Sequence, residues 1–120
     1  IAIAGAGSVR TNLAPLPTIA NHPVPTVIRL IIDNGSYGST GDQTTYAGMR
    51  TSLADVARAC GCDHVVECAA EDTAAAVEAA LAAEQTTVIV SKCESGNIKV
   101  PVIELDPVMI KERFMASVEE

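Results

Sequence analysis

Tryptophan is absent from this chain, and one Phe and two Tyr are its whole aromatic content. With 48% apolar residues but almost no large rings, a core has to be assembled from Ala, Val, Ile and Leu, as in parallel α/β layers whose helices pack through small residues. Positive charge is scarce as well: eight Lys and Arg stand against fifteen Asp and Glu, a formal net charge of −7. The basic residues are scattered, so no surface for tracking a phosphate backbone is expected, and no nucleic-acid partner. No apolar run approaches the ~20 residues of a bilayer span, so no membrane partner is expected either. No basic-then-apolar segment of the secretory kind is recognised. Cys60-Gly61-Cys62 lacks the two-residue gap typical of zinc or redox pairs. With Cys68 and Cys93 these read as reduced, mostly buried thiols of a cytoplasmic protein.

What is present is an alternation of branched-residue runs with helical patterns. At 120 residues the chain has a single-domain length. Residues 1–4 read as a short buried strand that ends in the glycine turn Gly5-Ala6-Gly7-Ser8. Ile1 already lies inside that strand pattern, which predicts a fragment of a longer subunit. Residues 12–21 have helical character, but Pro15 and Pro17 fall within them, and an interior proline costs about 3 kcal/mol, so a short, kinked or late-starting helix is expected. Residues 26–32 form a near-continuous branched run, the pattern of a central parallel strand covered on both faces. A long polar loop is expected over 33–45. Ser52 can cap a helix that Gly61 ends, residues 64–68 and 86–91 read as strands, and Asp72 or Thr73 caps an Ala-rich helix to Ala83. An extended stretch over 100–105 then leads to a helix over 107–118, started by Pro107. These elements imply an α/β fold class: a three-layer open parallel sheet with helices on both faces.

Two features carry chemistry. A glycine turn after a strand is a place where backbone N–H groups can converge on a phosphate. One reading of it is a small NAD(P)-binding Rossmann module, with Gly5 and Gly7 at the pyrophosphate and Asp33 on a ribose; it lacks the third glycine, because residue 10 is Arg. The other reading uses the loop after Asp33-Asn34, rich in glycine and hydroxyl side chains and offering the oxygen ligands that a hard cation on a diphosphate requires. Ligands of open α/β sheets bind at the carboxyl ends of the strands, where both features fall.

On those residues the chain resembles the thiamine diphosphate-dependent decarboxylases, whose diphosphate-binding (PP) domain carries Gly-Asp-Gly, about two dozen residues, then Asn-Asn or Asp-Asn. Gly5-Ala6-Gly7 and Asp33-Asn34 fit that spacing. The longer string Ile31-Ile32-Asp33-Asn34-Gly35-Ser36-Tyr37-Gly38-Ser39-Thr40-Gly41 is similar to the sulfopyruvate decarboxylase beta subunits and, next, to the phosphonopyruvate decarboxylases. The likeness extends through Leu53-Ala54-Asp55-Val56-Ala57-Arg58 to Lys111-Glu112-Arg113-Phe114-Met115. It implies a thiamine diphosphate-binding fold truncated at its N-terminus, with thiamine diphosphate and Mg²⁺ as cofactors. Gly5, Gly7 and Ser8 would meet the diphosphate. Asn34 would give its side-chain oxygen and Ser36 its backbone carbonyl to Mg²⁺, and Tyr37, Gly38 and Ser39 would close over the cofactor.

Three departures from the family pattern stand out. Ala6 occupies the position of the family's metal-binding Asp, the segment that precedes the first strand in family members is absent, and Arg10, Pro15 and Pro17 alter the next helix. Removing a carboxylate from a hard-cation site predicts weaker metal and diphosphate binding. The resemblance implies part of a 2-oxo acid decarboxylase converting 3-sulfopyruvate to sulfoacetaldehyde and CO₂, as in coenzyme M biosynthesis, or acting on the phosphono analogue. A non-catalytic fragment or variant with a disabled metal site is the alternative within the family. The expected partners are a pyrimidine-domain (alpha) subunit, bringing the activating Glu that nothing here matches, and further copies of the chain. Alone, the chain is expected to be inactive.

Overall fold

A computed structural model describes residues 1–96, 100–101 and 105–118. Four strands form one sheet: β1 (Ala2–Gly5), β2 (Ile28–Asp33), β5 (Val65–Ala69) and β6 (Thr87–Lys92), in the spatial order β1-β2-β6-β5 and parallel throughout. The two central strands are the branched-residue runs, and they alternate faces with a period of two. Ile31, Val88 and Val90 turn to one side, Ile28, Leu30 and Ile89 to the other. Helices cover both. On the first side α1 (Ala6–Thr11), α2 (Pro15–Asn21) and α3 (Leu53–Ala59) add Ala6, Val9, Leu16, Leu53, Ala54 and Ala57 to the core. On the second, α4 (Thr73–Ala82) adds Ala80, with Ala76 and Val77 beside it. The three-layer α/β architecture expected from the sequence is the one observed, and its core is aliphatic throughout.

Several local expectations change. The first crossover holds two helices, and α1 begins directly at Ala6, so the glycine turn is a strand end and a helix start rather than a loop. Pro15 and Pro17 give the short, late-starting helix expected of them. They fall in the first turn of α2, where N–H groups lack intrahelical acceptors in any case. The polar segment after β2 contains a small hairpin, β3 (Ser36–Tyr37) with β4 (Gln43–Thr44), and then a 3₁₀ turn at Tyr46–Gly48. Ser52 caps α3 as read, its hydroxyl accepting from the Asp55 N–H at 3.1 Å. Neither expected cap holds α4: Asp72 makes no side-chain cap bond, and Thr73 Oγ1 lies 2.6 Å from Ser91 Oγ, tying the helix start to β6 instead.

The cysteines are free and partly rather than fully buried. Burial nonetheless pushes the Cys62 thiol up, with Cys60 and Asp63 adding to the effect, which lowers the share of its reactive thiolate form. The expected extended stretch over 100–105 lies partly outside the described residues. The last helix, α5 (Pro107–Val118), forms as expected but buries none of its residues, and Phe114 is 65% exposed. No helix among the described residues is long and apolar enough to cross a membrane.

The contrast between core and periphery is testable. Ile31→Ala removes a fully buried side chain from the central strand and should cost about 2–5 kcal/mol in urea denaturation. Phe114→Ala on α5 should change stability by less than about 0.5 kcal/mol.

Candidate functional site

Parallel pairing puts the ends of β1, β2 and β6 side by side: Gly5 is in register with Ile32, and Asp33 with Lys92. The chain leaves the sheet here three times, and the three exits enclose a cleft of about 440 Å³. It is lined by Gly5, Ala6, Gly7, Ser8 and Thr11 from the first exit, by Ile32, Asn34, Ser36, Tyr37, Gly38 and Ser39 from the second, and by Gly96 from the third. Every residue that the sequence assigned to thiamine diphosphate or its metal therefore lines one cavity. Thr11, Ile32 and Gly96 are additions. Thr11 sits one helical turn after Gly7, a spacing that puts both on one face; Gly96 becomes visible only once β6 is known to lie beside β2.

The loop after β2 owes its shape to two successive side-chain turns. Asp33 is 2% exposed; its Oδ1 accepts from the Gly35 N–H at 3.1 Å, and its Oδ2 from Lys92 Nζ at 2.6 Å. Asn34 Oδ1 accepts from the Ser36 N–H at 3.1 Å, and its amide nitrogen donates to the Gly96 carbonyl at 3.4 Å. The backbone then doubles back so closely that a Cβ on Gly48 would lie 2.6 Å from the Gly35 carbonyl oxygen, while Gly35 itself has φ +65°. Both positions exclude larger residues. Across the cleft the Tyr37 ring rests on Gly7, where an added Cβ would meet it at 3.1 Å. Glycine at position 7 thus lets α1 and the hairpin approach.

Two further residues hold the hairpin. Asp42, at φ +56°, accepts hydrogen bonds from the Ser36 and Ser95 hydroxyls. These bonds keep its carboxyl below the usual value of 3.8, Ser36 contributing most. Arg10 donates from Nη1 to the Tyr37 hydroxyl at 2.9 Å, and its guanidinium carbon lies 4.8 Å from the centre of the Tyr46 ring and 5.9 Å from that of Tyr37. A smaller cavity of about 220 Å³ lies against Arg10, Tyr37, Thr44, Thr45 and Tyr46, so that Tyr37 is a wall of both.

A different hollow, of about 290 Å³, lies at the amino ends of the strands among Ile19, Pro25, Cys62, His64 and Thr86. None of the sequence-assigned residues reaches it.

The residues suit the two expected cofactor components unequally. Backbone, hydroxyl and amide groups around an open cleft suit a diphosphate, and the first N–H groups of α1 have no intrahelical acceptors. Mg²⁺ fits poorly. Among the described residues no carboxylate lines the cleft, Ala6 offers no side-chain ligand atom, the Asn34 oxygen is engaged by the Ser36 N–H, and Asp33 is neutralised by Lys92. Among the described residues no group of three or more His, Cys, Asp or Glu side chains could hold a metal ion. The same Asp33–Lys92 pair removes the carboxylate that a ribose would need, which speaks against the NAD(P) reading.

Residues 1–91 match the family described as "Thiamine pyrophosphate enzyme, C-terminal TPP binding domain", and the chain belongs to it. Among curated relatives it is similar to the sulfopyruvate decarboxylase beta subunits of Methanocaldococcus jannaschii (39% identical) and Methanococcus maripaludis (42% identical), over 99% and 100% of this chain. It spans 63% and 64% of the length of those two proteins. A phosphonopyruvate decarboxylase of Streptomyces hygroscopicus is 34% identical over 82% of the chain and 24% of its own length.

Lys92→Met would leave the Asp33 carboxylate buried with only the Gly35 N–H. Because Lys92 is itself 40% exposed, the cost should fall below that of a fully buried pair, at about 1–3 kcal/mol in urea denaturation. For Asp42 the depressed pKa means that its hydrogen bonds help the hairpin above the ordinary carboxylate value and stop helping as pH falls through the lower folded value. Acid titration of tyrosine fluorescence should show a transition below pH 3.8 that is missing in Asp42→Asn.

Proposed function

We propose that this chain is the diphosphate-binding part of a thiamine diphosphate-dependent 2-oxo acid decarboxylase of the sulfopyruvate decarboxylase kind. The observation that carries the reading is the convergence of Gly5, Gly7, Ser8, Asn34, Ser36, Tyr37, Gly38 and Ser39 on one cleft at the carboxyl ends of three adjacent parallel strands. In this reading Gly5 to Ser8 meet the diphosphate from one side. Tyr37, Gly38 and Ser39 close over it from the other, held in place by the Asp42 and Arg10 contacts. The bound cofactor would supply the electron sink for loss of CO₂.

The chain's own part is to bind and orient. Among the described residues no carboxylic acid lines the cleft to activate a cofactor, and the source proposed for that group is a partner, a pyrimidine-domain (alpha) subunit. Two or more copies of each chain would complete the enzyme. The proposed substrate is a 3-sulfo- or 3-phosphono-substituted 2-oxo acid, the former placing the reaction in coenzyme M biosynthesis, and the proposed compartment is the cytoplasm. Mg²⁺, which the family resemblance implied through Asn34 and Ser36, enters no step here because the donors around the cleft do not make a hard-cation site.

The test is to titrate thiamine diphosphate into the chain together with an alpha subunit of a sulfopyruvate decarboxylase, and to monitor CO₂ release from 3-sulfopyruvate. Saturable cofactor binding with CO₂ release by the mixture, and none by the chain alone, is the expected result. No cofactor binding in any combination would end this reading.

A further inference from the structure

The cleft has little charge of its own. The described residues of its walls carry no charge: they contribute backbone, hydroxyls, aliphatic side chains and the Asn34 amide, in a chain whose formal net charge is −7. A multiply charged anion entering such a cleft needs a counter-charge. A bridging cation would need carboxylate ligands, and none lines the cleft among the described residues. Lys92 is spent on Asp33. Arg10 is not spent: the ion pairs found among the described residues are Arg58–Asp55 and Lys92–Asp33, and of the guanidinium's five N–H donors one goes to Tyr37. The guanidinium carbon of Arg10 lies 4.8 Å from the centre of the Tyr46 ring, and the N–H edge of a guanidinium is the part that recognises phosphate oxygens. Its hydrogen bond to Tyr37 sets this charge at the wall shared by the cleft and the smaller cavity.

We infer that the cleft takes a diphosphate directly, with the Arg10 guanidinium in place of a divalent cation as its counter-charge. The inference rests on reading the cleft as a diphosphate site, and it changes what that site requires: a cation fixed by the fold instead of one recruited from solution. Tyr37 then has two tasks, closing the cleft and aiming Arg10, and the stack on Tyr46 holds the guanidinium still before any ligand arrives, which lowers the ordering cost of binding.

Calorimetry with inorganic pyrophosphate on the intact chain tests this, once in EDTA and once in Mg²⁺. The dissociation constant in EDTA should lie within about threefold of that in Mg²⁺. Arg10→Gln should weaken binding in EDTA by about tenfold or more, the scale of one lost charge-assisted hydrogen bond, and Arg10→Lys should lose less. Unchanged thermal melting of the variants would tie the loss to the site, and the EDTA comparison on the unaltered chain stands without any variant. Binding of pyrophosphate only when Mg²⁺ is present, or an Arg10→Gln variant that binds as well as the parent, overturns the inference. If thiamine diphosphate still binds in that case, the proposed function survives. If neither pyrophosphate nor thiamine diphosphate binds under any condition, both readings fall.

Discussion

The parallel register of β1, β2 and β6 is the constraint on which the rest of the molecule depends. It sets Gly5 against Ile32 and Asp33 against Lys92, so that three chain exits open at one edge of the sheet within reach of one ligand. Because side chains alternate with a period of two, a slip of one residue would turn Ile31, Val88 and Val90 out of the first core layer and carry Asp33 away from Lys92. The two core layers hold this register by burying Ile31, Val88 and Val90 on one side and Ile28, Leu30 and Ile89 on the other. The aliphatic core and the functional cleft are thus consequences of a single pairing pattern.

On that frame the loop after β2 organises itself. Its polar side chains mostly bond one another: Asp33 to Gly35 and Lys92, Asn34 to Ser36, Asp42 to Ser36 and Ser95. A loop whose groups are already satisfied is ordered before a ligand arrives, but it has few strong donors left to coordinate a metal. The described walls of the cleft carry no charge as a result, and the Arg10 guanidinium is bonded to Tyr37, the wall that the cleft shares with the smaller cavity. The same economy explains why Asp33, the acid most visible in the sequence, is a strut for the loop and not a ligand.

The periphery is organised differently. Ile3 on the edge strand is 68% exposed, and the apolar positions of α5, Ile110, Phe114 and Val118 among them, have no buried contact within this chain. The chain spans less than two thirds of the sulfopyruvate decarboxylase beta subunits to which it is similar.

From the sequence alone came the class of fold, the order of the principal strands and helices, and the set of residues that share the cleft. These are legible because strand burial, helix capping by Ser52 and the glycine and Asp-Asn exits are written in local pattern and spacing. Tertiary structure decided the rest. Whether Pro15 and Pro17 break a helix depends on where the helix begins, and α1 ending at Thr11 lets α2 start at Pro15. Whether Thr73 caps a helix depends on Ser91, 18 residues away. Whether Asp33 binds a ligand depends on Lys92, 59 residues away, and Arg10 gains its place beside the cleft from Tyr37 and Tyr46. In each case the deciding partner is distant in the chain and close in space, and such contacts exist only once the parallel sheet has brought the strand ends together.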